Sequence, residues 1–494
     1  MNTMQNKKKE GFKTGLIAGL FVLSIALNQQ AWFNTSFDKM LPSMKRFSTI
    51  EAKINNVAKE DITDIVNPQS FSINFGGGLH TVLYTEPYDV WKKTIDVLKT
   101  KDSENEMLIQ EVEKDEWQEA SKFRSITMDF GYDISRKLLM ETLEIKEEGI
   151  FKKISDIDSI VVSLMEDMSI YIGNKKDQSY YRIDGIDTKY SFSKIIKDIE
   201  ESKYEAYYPM NDIYGVENDT LIQMSTDDNI HQLEVEQEII PTDERQAEYF
   251  AGTFFGDNLD FIRKIKEASG SVIYMYGYGQ KVLRLEESGV LEYIEEIDSQ
   301  KQETNTSLVE ALKIARKFVR EHGSWSNIDA HLRGINVIKD GKGYQFLFGY
   351  RLNGIPIYVD EEGKQEEIVE PIEVQVVGKQ VIYYKRILKR EKNTISFLDA
   401  EEEVNIIPAS QIIDINFNKI KNDYVATGSQ KSQKLDAKDI SQQVLREIKS
   451  VEIGYLDYLD KEREKLMPIW IIKTNKKIYY FDAYSGEMVN RFER

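Results

Sequence analysis

Cysteine is absent from all 494 residues. That excludes disulfides, thiolate nucleophiles, Cys-ligated metals and an acylated lipoprotein N-terminus. Histidine is scarce: His80, His231, His322 and His331 are the only four, and none falls in HExxH or another ligand spacing. His322 and His331 flank an expected helix end and loop, and read as ordinary surface or helix-end residues. No GxSxG occurs, and no Gly-Lys-Ser/Thr follows Gly76-Gly77-Gly78, whose flanks alternate like strands. Those glycines therefore read as a hairpin or bulge. Gly277-Tyr278-Gly279 lacks the third glycine of a dinucleotide fingerprint and reads as a turn. Positive charge is outweighed, with 65 Lys and Arg against 84 Asp and Glu, a net of −19. That disfavours a nucleic-acid reader, which needs a cationic face. Carboxylates are too many for any pair to stand out, and Glu401 to Glu403 read as a solvated run. Tyrosine-rich stretches, 204–208 and 479–484, read as sheet packing. Nothing converges on chemistry. The expectation is a non-enzymatic binding protein with no cofactor and no metal.

Long hydrophobic runs are also lacking, except one. Phe12 to Phe33, FKTGLIAGLFVLSIALNQQAWF, follows Lys7, Lys8 and Lys9. At about 1.5 Å per residue, Lys13 to Phe33 spans roughly 30 Å, the thickness of a hydrocarbon core. The densest apolar block, Gly15 to Leu27, is short for a full span, so the interfacial residues count as part of the helix. Lys13 and Trp32 are the expected membrane anchors. Gly15 and Gly19 form a small-xxx-small pair beside Leu16, Leu20, Leu23 and Leu27, which permits close helix approach. Ordinary glycine use in a membrane helix is the plainer reading. A cleaved signal peptide shares the same basic and apolar regions, but Asn28, Gln29 and Gln30 make a poor cleavage site. A soluble helix fits badly beside three consecutive lysines. The flanking cations place the N-terminus (1–12) in the cytoplasm and the body outside. A cysteine-free exported body suits a Gram-positive envelope.

The body shows 41% hydrophobic and 30% charged residues, as folded domains do. The expected class is α+β: a transmembrane helix (13–33), then an ectodomain of antiparallel sheets with packed helices. Its expected divisions are 34–212, 213–391 and 392–494. Ser48 could cap a helix through Val57. Pro87 opens a helix bearing Val90, Trp91, Ile95 and Leu98. Two strands are expected around 227–229, a helix from Asp243 to Phe255 and a second helix from Asp257 through Phe261 and Ile265. A strand meander follows to Glu296. Ser307 to Arg320 is amphipathic, with Leu308, Ala311, Leu312, Ala315 and Val319 on one face. Asn353-Gly354 marks a hairpin. FLFGYRLNGIPIYVDEEG (346–363) and WIIKTNKKIYYFDAYSG (470–486) occupy like positions in two successive helix-then-sheet units.

The segment AEYFAGTFFGDNLDFIRKI…VLRLEESGVLEYIEEID (247–298) resembles the phenylalanine-rich helix, strand and Gly-x-Leu-x-Tyr stretch of the YycH regulatory family. GYRLNGIPIYVD…VQVVGKQVIYYKR and PIWIIKTNKKIYYFDAYSGEMV resemble the repeated sheets of YycH and YycI, and the ending is similar to PepSY-type modules. The resemblance is best over 240–490 and poorest over 100–210. It implies a single-pass accessory protein of a cell-wall two-component system. Such a protein acts with a YycI-like partner on a sensor histidine kinase of WalK (YycG) type, partly through transmembrane helices. A PepSY-like extracytoplasmic inhibitor or chaperone module is the alternative, and an exported hydrolase a further one.

Overall fold

The structure is a computed structural model. It describes residues 62–493 apart from 104–108, 146–150, 152, 166–167, 185, 187, 226–229, 257, 298–305, 324, 326–328, 340, 361–368, 393–404, 428–436 and 460–463. The expected span with its glycine pair, the expected helix after Ser48 and the Glu401 to Glu403 run lie outside the described residues. Among the described residues no helix is long and apolar enough to cross a membrane. Ile62–Arg494 forms one compact unit.

The first half is built from β1 (Ser70–Gly76), β2 (Leu79–Leu83), α1 (Val90–Ser103), β3 (Ile109–Val112), α2 (Lys114–Lys122), β4 (Ser125–Ile134) and α3 (Arg136–Thr142). It continues with β5 (Ile157–Ser163), β6 (Ser169–Asn174), β7 (Ser179–Ile183), α4 (Phe192–Glu200), β8 (Tyr207–Pro209), α5 (Met210–Tyr214) and β9 (Leu221–Gln223). These strands form one nine-stranded antiparallel sheet, ordered β3-β7-β6-β5-β4-β1-β2-β8-β9. The triple glycine turns β1 into β2, with a register shift between Asn74 and Gly76, as the alternation of its flanks predicts. Gly76, Gly77 and Gly78 all have positive φ, which L side chains resist. On α1, Trp91 is buried against the edge of Phe130 and donates from Nε1 to the carbonyl of Val66 at 3.1 Å.

The second half comprises β10 (Leu233–Gln237), α6 (Glu244–Phe255), β11 (Arg263–Lys266), β12 (Val272–Tyr276), β13 (Lys281–Leu285), β14 (Val290–Glu295), α7 (Leu308–Glu321), β15 (Asp329–Ile338), β16 (Gly343–Leu352) and β17 (Ile355–Val359). Then come β18 (Ile372–Val377), β19 (Gln380–Ile387), β20 (Lys389–Glu391), α8 (Ala409–Thr427), α9 (Ala437–Glu447), β21 (Ile448–Asp457), β22 (Lys465–Thr474), β23 (Lys477–Asp482) and β24 (Met488–Glu493). Strands β10 to β24 join one 15-stranded sheet, antiparallel except where β17 meets β21. Ser307 caps α7 by accepting from the N–H of Glu310, and Ala311, Leu312, Ala315 and Val319 are buried, as the periodicity predicts. α6 is capped by Asp243 in the same way. The class is therefore α+β, with antiparallel sheets and packed helices.

Two of the expectations about these elements need correction. The helix expected through Phe261 and Ile265 does not form: Arg263 to Lys266 is a strand, paired with Met275 to Val272. The spacing of Phe261 and Ile265 mimicked a helix, but pairing with β12 overrides it, and Phe261 is left 82% exposed. The two strands expected around 227–229 do form, β9 in the first sheet and β10 in the second. The two echoing segments also diverge. β22 and β23 pair from Ile469↔Asp482 to Lys473↔Ile478. β16 and β17 pair only at Arg351↔Pro356 and Leu352↔Ile355. Pro356 has no N–H to extend that ladder. β17 therefore leaves, and Ile357, Tyr358 and Val359 run parallel to Tyr455, Leu456 and Asp457.

The Asn353-Gly354 turn has φ of 52° and 79°, the primed geometry that favours a tight hairpin. A Cβ on Gly354 would stand 2.6 Å from Thr85 Oγ1. Gly354→Val is expected to destabilise the chain by about 2 kcal/mol, from left-handed strain and that clash. Urea titration checks this; a midpoint equal to wild type refutes it.

Candidate functional site

The histidines do not converge. His80, on β2, lies 3.1 Å through Nδ1 from the carbonyl of Gly78, and burial lowers its pKa despite Asp212 and Asp219 nearby. His322 closes α7 between the rings of Phe254 and Phe318, at 4.2 and 4.0 Å. Burial, then Arg386, push it down to about 4. His331 is not a surface residue: it is fully buried in β15, and burial, then Arg351 and Arg333, push its pKa well below the ordinary value. Among the described residues no cluster of three His, Asp or Glu could hold a metal. The tyrosine-rich stretches pack as expected: Tyr204 lies 4.7 Å from Phe75, and Tyr207, Tyr479 and Tyr480 are buried. Gly277 and Gly279 are turn residues with positive φ.

What converges instead is buried charge, where the second sheet changes from one helix-and-sheet unit to the next. Glu238, just past β10, accepts from Arg386 Nε at 2.7 Å and Nη2 at 3.0 Å, and from Arg390 at 2.8 Å. Arg386 also donates to the carbonyl of Gly323. The two central side chains are 1% and 4% exposed. Burial alone would raise the Glu238 pKa, but the two guanidinium groups overcome it and hold the carboxyl below its ordinary value. Nearby, Lys389 lies 3.4 Å from Asp457 at the end of β21.

A second network crosses from β15 to β22. The register shift between Leu332 and Gly334 leaves Arg333 as a bulge residue. Arg333 reaches Glu370 at 3.0 Å and stacks 4.5 Å over the ring of Tyr358. The Tyr358 hydroxyl donates to Glu452, which also takes two bonds from Lys473 at 2.8 and 2.9 Å. A third contact ties the sheets together: Arg351 donates to the carbonyls of Pro68 and Gln69 and to Asp329. None of these charges was singled out in the sequence. The available signal was a charge inside an apolar strand, as in QVIYYKRI and GYQFLFGYRL. Paired and hydrogen-bonded, such groups hold relative orientation rather than react.

The surface offers two recognisable features. Between α8, α9 and the β22–β23 hairpin, Ile420, Val444, Tyr424 and Tyr479 line a cleft of about 20 Å3, room for a single water, edged by Lys476 and Glu447. Tyr278, at the β12–β13 turn, is wholly exposed, and Phe261, before β11, is 82% exposed.

No family model matches the chain, and no curated protein matches it. By structure, the chain is an α+β protein of helix-backed, mainly antiparallel sheets. More particularly, its fold is similar to that of YycH from Bacillus subtilis, with a TM-score of 0.50 at 13% identity, over 86% of this chain and 97% of that one. At that identity the likeness speaks for the fold alone. The YpeB C-terminal domain from Bacillus megaterium matches 52% of this chain and 99% of its own at 12% identity. Its TM-score of 0.25 carries no argument.

Proposed function

We propose that this protein is a membrane-anchored, non-enzymatic regulator of a sensor histidine kinase of the WalK (YycG) type, acting beside a YycI-like partner. The observation that carries the reading is the YycH-like fold over 86% of the chain. In this reading the helix 13–33 stays in the membrane, anchored by Lys13 and Trp32, with the body outside the cell. The face of Gly15, Gly19, Leu16, Leu20, Leu23 and Leu27 meets the kinase's own helices. Regulation then needs unequal contact with two kinase states, because equal binding shifts nothing.

Affinity purification of the kinase from membranes tests this. The full chain is expected to bring the kinase down, a chain without residues 1–33 at least about tenfold less, a loss of ~1.4 kcal/mol or more. Gly15→Leu with Gly19→Leu is expected to give an intermediate loss. Equal recovery by the shortened chain refutes the transmembrane contact. Turnover of a substrate by the purified protein refutes the non-enzymatic role.

A further inference from the structure

The strands that end the sheets are β3, β9, β11 and β20, with β15 and β24 off the main path. Most are guarded. β11 reads RKIK and β20 reads KRE. β24 carries Arg491, bonded to Asp423, and Glu493, paired with Lys477. β3 carries exposed Glu111, and β9 has three residues. Charges and shortness are what keep an edge from pairing with another chain.

β15 differs beyond its bulge. Before Arg333 it is covered: Leu332 donates its N–H to Ile65, and Gln69 Nε2 reaches the Leu332 carbonyl at 3.5 Å. After Arg333 the strand reads Gly334-Ile335-Asn336-Val337-Ile338, with no charge and no proline. Among the described residues these five pair with β16 alone, and no other backbone bond reaches them. Val337 is 65% exposed. The faces are sorted. Ile335 and Val337 stand beside Phe346 and Tyr344, while Asn336 donates to Gln345 on the opposite face. The bulge thus divides β15 into a half tied to Ile65 and Gln69 and a half that, among the described residues, has no backbone partner on its outer side.

We infer that Gly334–Ile338 is a strand-addition site for an extended segment of a second protein. The unpaired N–H and C=O groups fix the occupant as a β-strand, since only another backbone matches their spacing. Apolar residues of that segment lie beside Ile335 and Val337, and a polar one beside Asn336. Exposed Lys339 and Lys342 at the end of the strand favour an acidic residue there. A second copy of this chain fits less well. Five residues bury far less than the roughly 1,000 Å2 that a stable dimer needs, and each copy brings a net charge of −19 and the same lysines. The site does not depend on the kinase reading or on the span.

The test uses the full chain in detergent micelles. The probe is a fluorescent hexapeptide of alternating valine and threonine ended by aspartate. The expected result is saturable binding that slows amide exchange across 334–338. Val337→Lys is expected to weaken binding by about tenfold with an unchanged melting transition, the side chain being exposed. Val489→Lys, on β24, is expected to leave binding unaltered. Lys339→Glu is expected to weaken the aspartate-ended peptide and not a lysine-ended one. Exchange at 334–338 that the peptide does not slow overturns the inference, as does equal binding by Val337→Lys. Protection that grows with protein concentration in the absence of peptide overturns it in favour of a second copy.

Discussion

Glu238→Ala is expected to lose about 3–5 kcal/mol of stability, because it strands a buried guanidinium without its carboxylate. Arg386 is fully buried, with Glu238 taking bonds from two of its nitrogens. Arg390 is 48% exposed, so water can replace its lost partner and its share of the cost is small. The measurement is a denaturant titration in which the midpoint falls and the slope holds. A loss under 1 kcal/mol would show that Arg386 is well solvated or finds another acceptor. Replacing both partners with apolar residues, Glu238→Leu with Arg386→Met, is expected to cost less than Glu238→Ala alone. The pH dependence has a definite sign. The carboxyl is held below its ordinary value, so the stabilisation is complete above the unfolded pKa of about 4.3 and disappears as pH falls through the lower folded value. The gap between wild type and Glu238→Gln is therefore expected to close in acid, not in alkali.

Trp470→Ala is the second large effect, at about 3–5 kcal/mol. Trp470, on β22, is 1% exposed in the cluster that joins α8, α9 and the last strands. It shares that cluster with Ile412, Ile413 and its strand partner Phe481, and Nε1 donates to the carbonyl of Ile407 at 2.8 Å. Alanine leaves a cavity and an unsatisfied carbonyl at the entry to α8. Trp470→Phe keeps much of the volume but not the donor, and is expected to fall between the two. Intrinsic fluorescence and calorimetry would report the loss. Wild-type stability in Trp470→Ala would mean that α8 closes over the gap.

Local pattern carried much of the fold. Ser307 and Asp243 cap helices where an acceptor precedes an apolar period, and Asn353-Gly354 turns a hairpin because it tolerates two positive φ values. Pairing between distant strands was not legible. Nothing in LEVEQ says that β10 lies between β20 and β22, and nothing in RKIK separates a short strand from a helix turn. The buried charges were hidden by number. With 30% of residues charged, Glu238 looks like any other acid until β19 is placed beside it. The expected membrane face of Gly15 and Gly19 was read from the sequence alone, and lies outside the described residues.

The parallel join of β17 to β21 also bears on biogenesis. Ile357 must find Tyr455, which leaves the ribosome about a hundred residues later. At roughly 5–20 residues per second, that is a wait on the order of ten seconds. For that time the earlier unit carries a strand with nowhere to go, and only translation of the C-terminal portion relieves it.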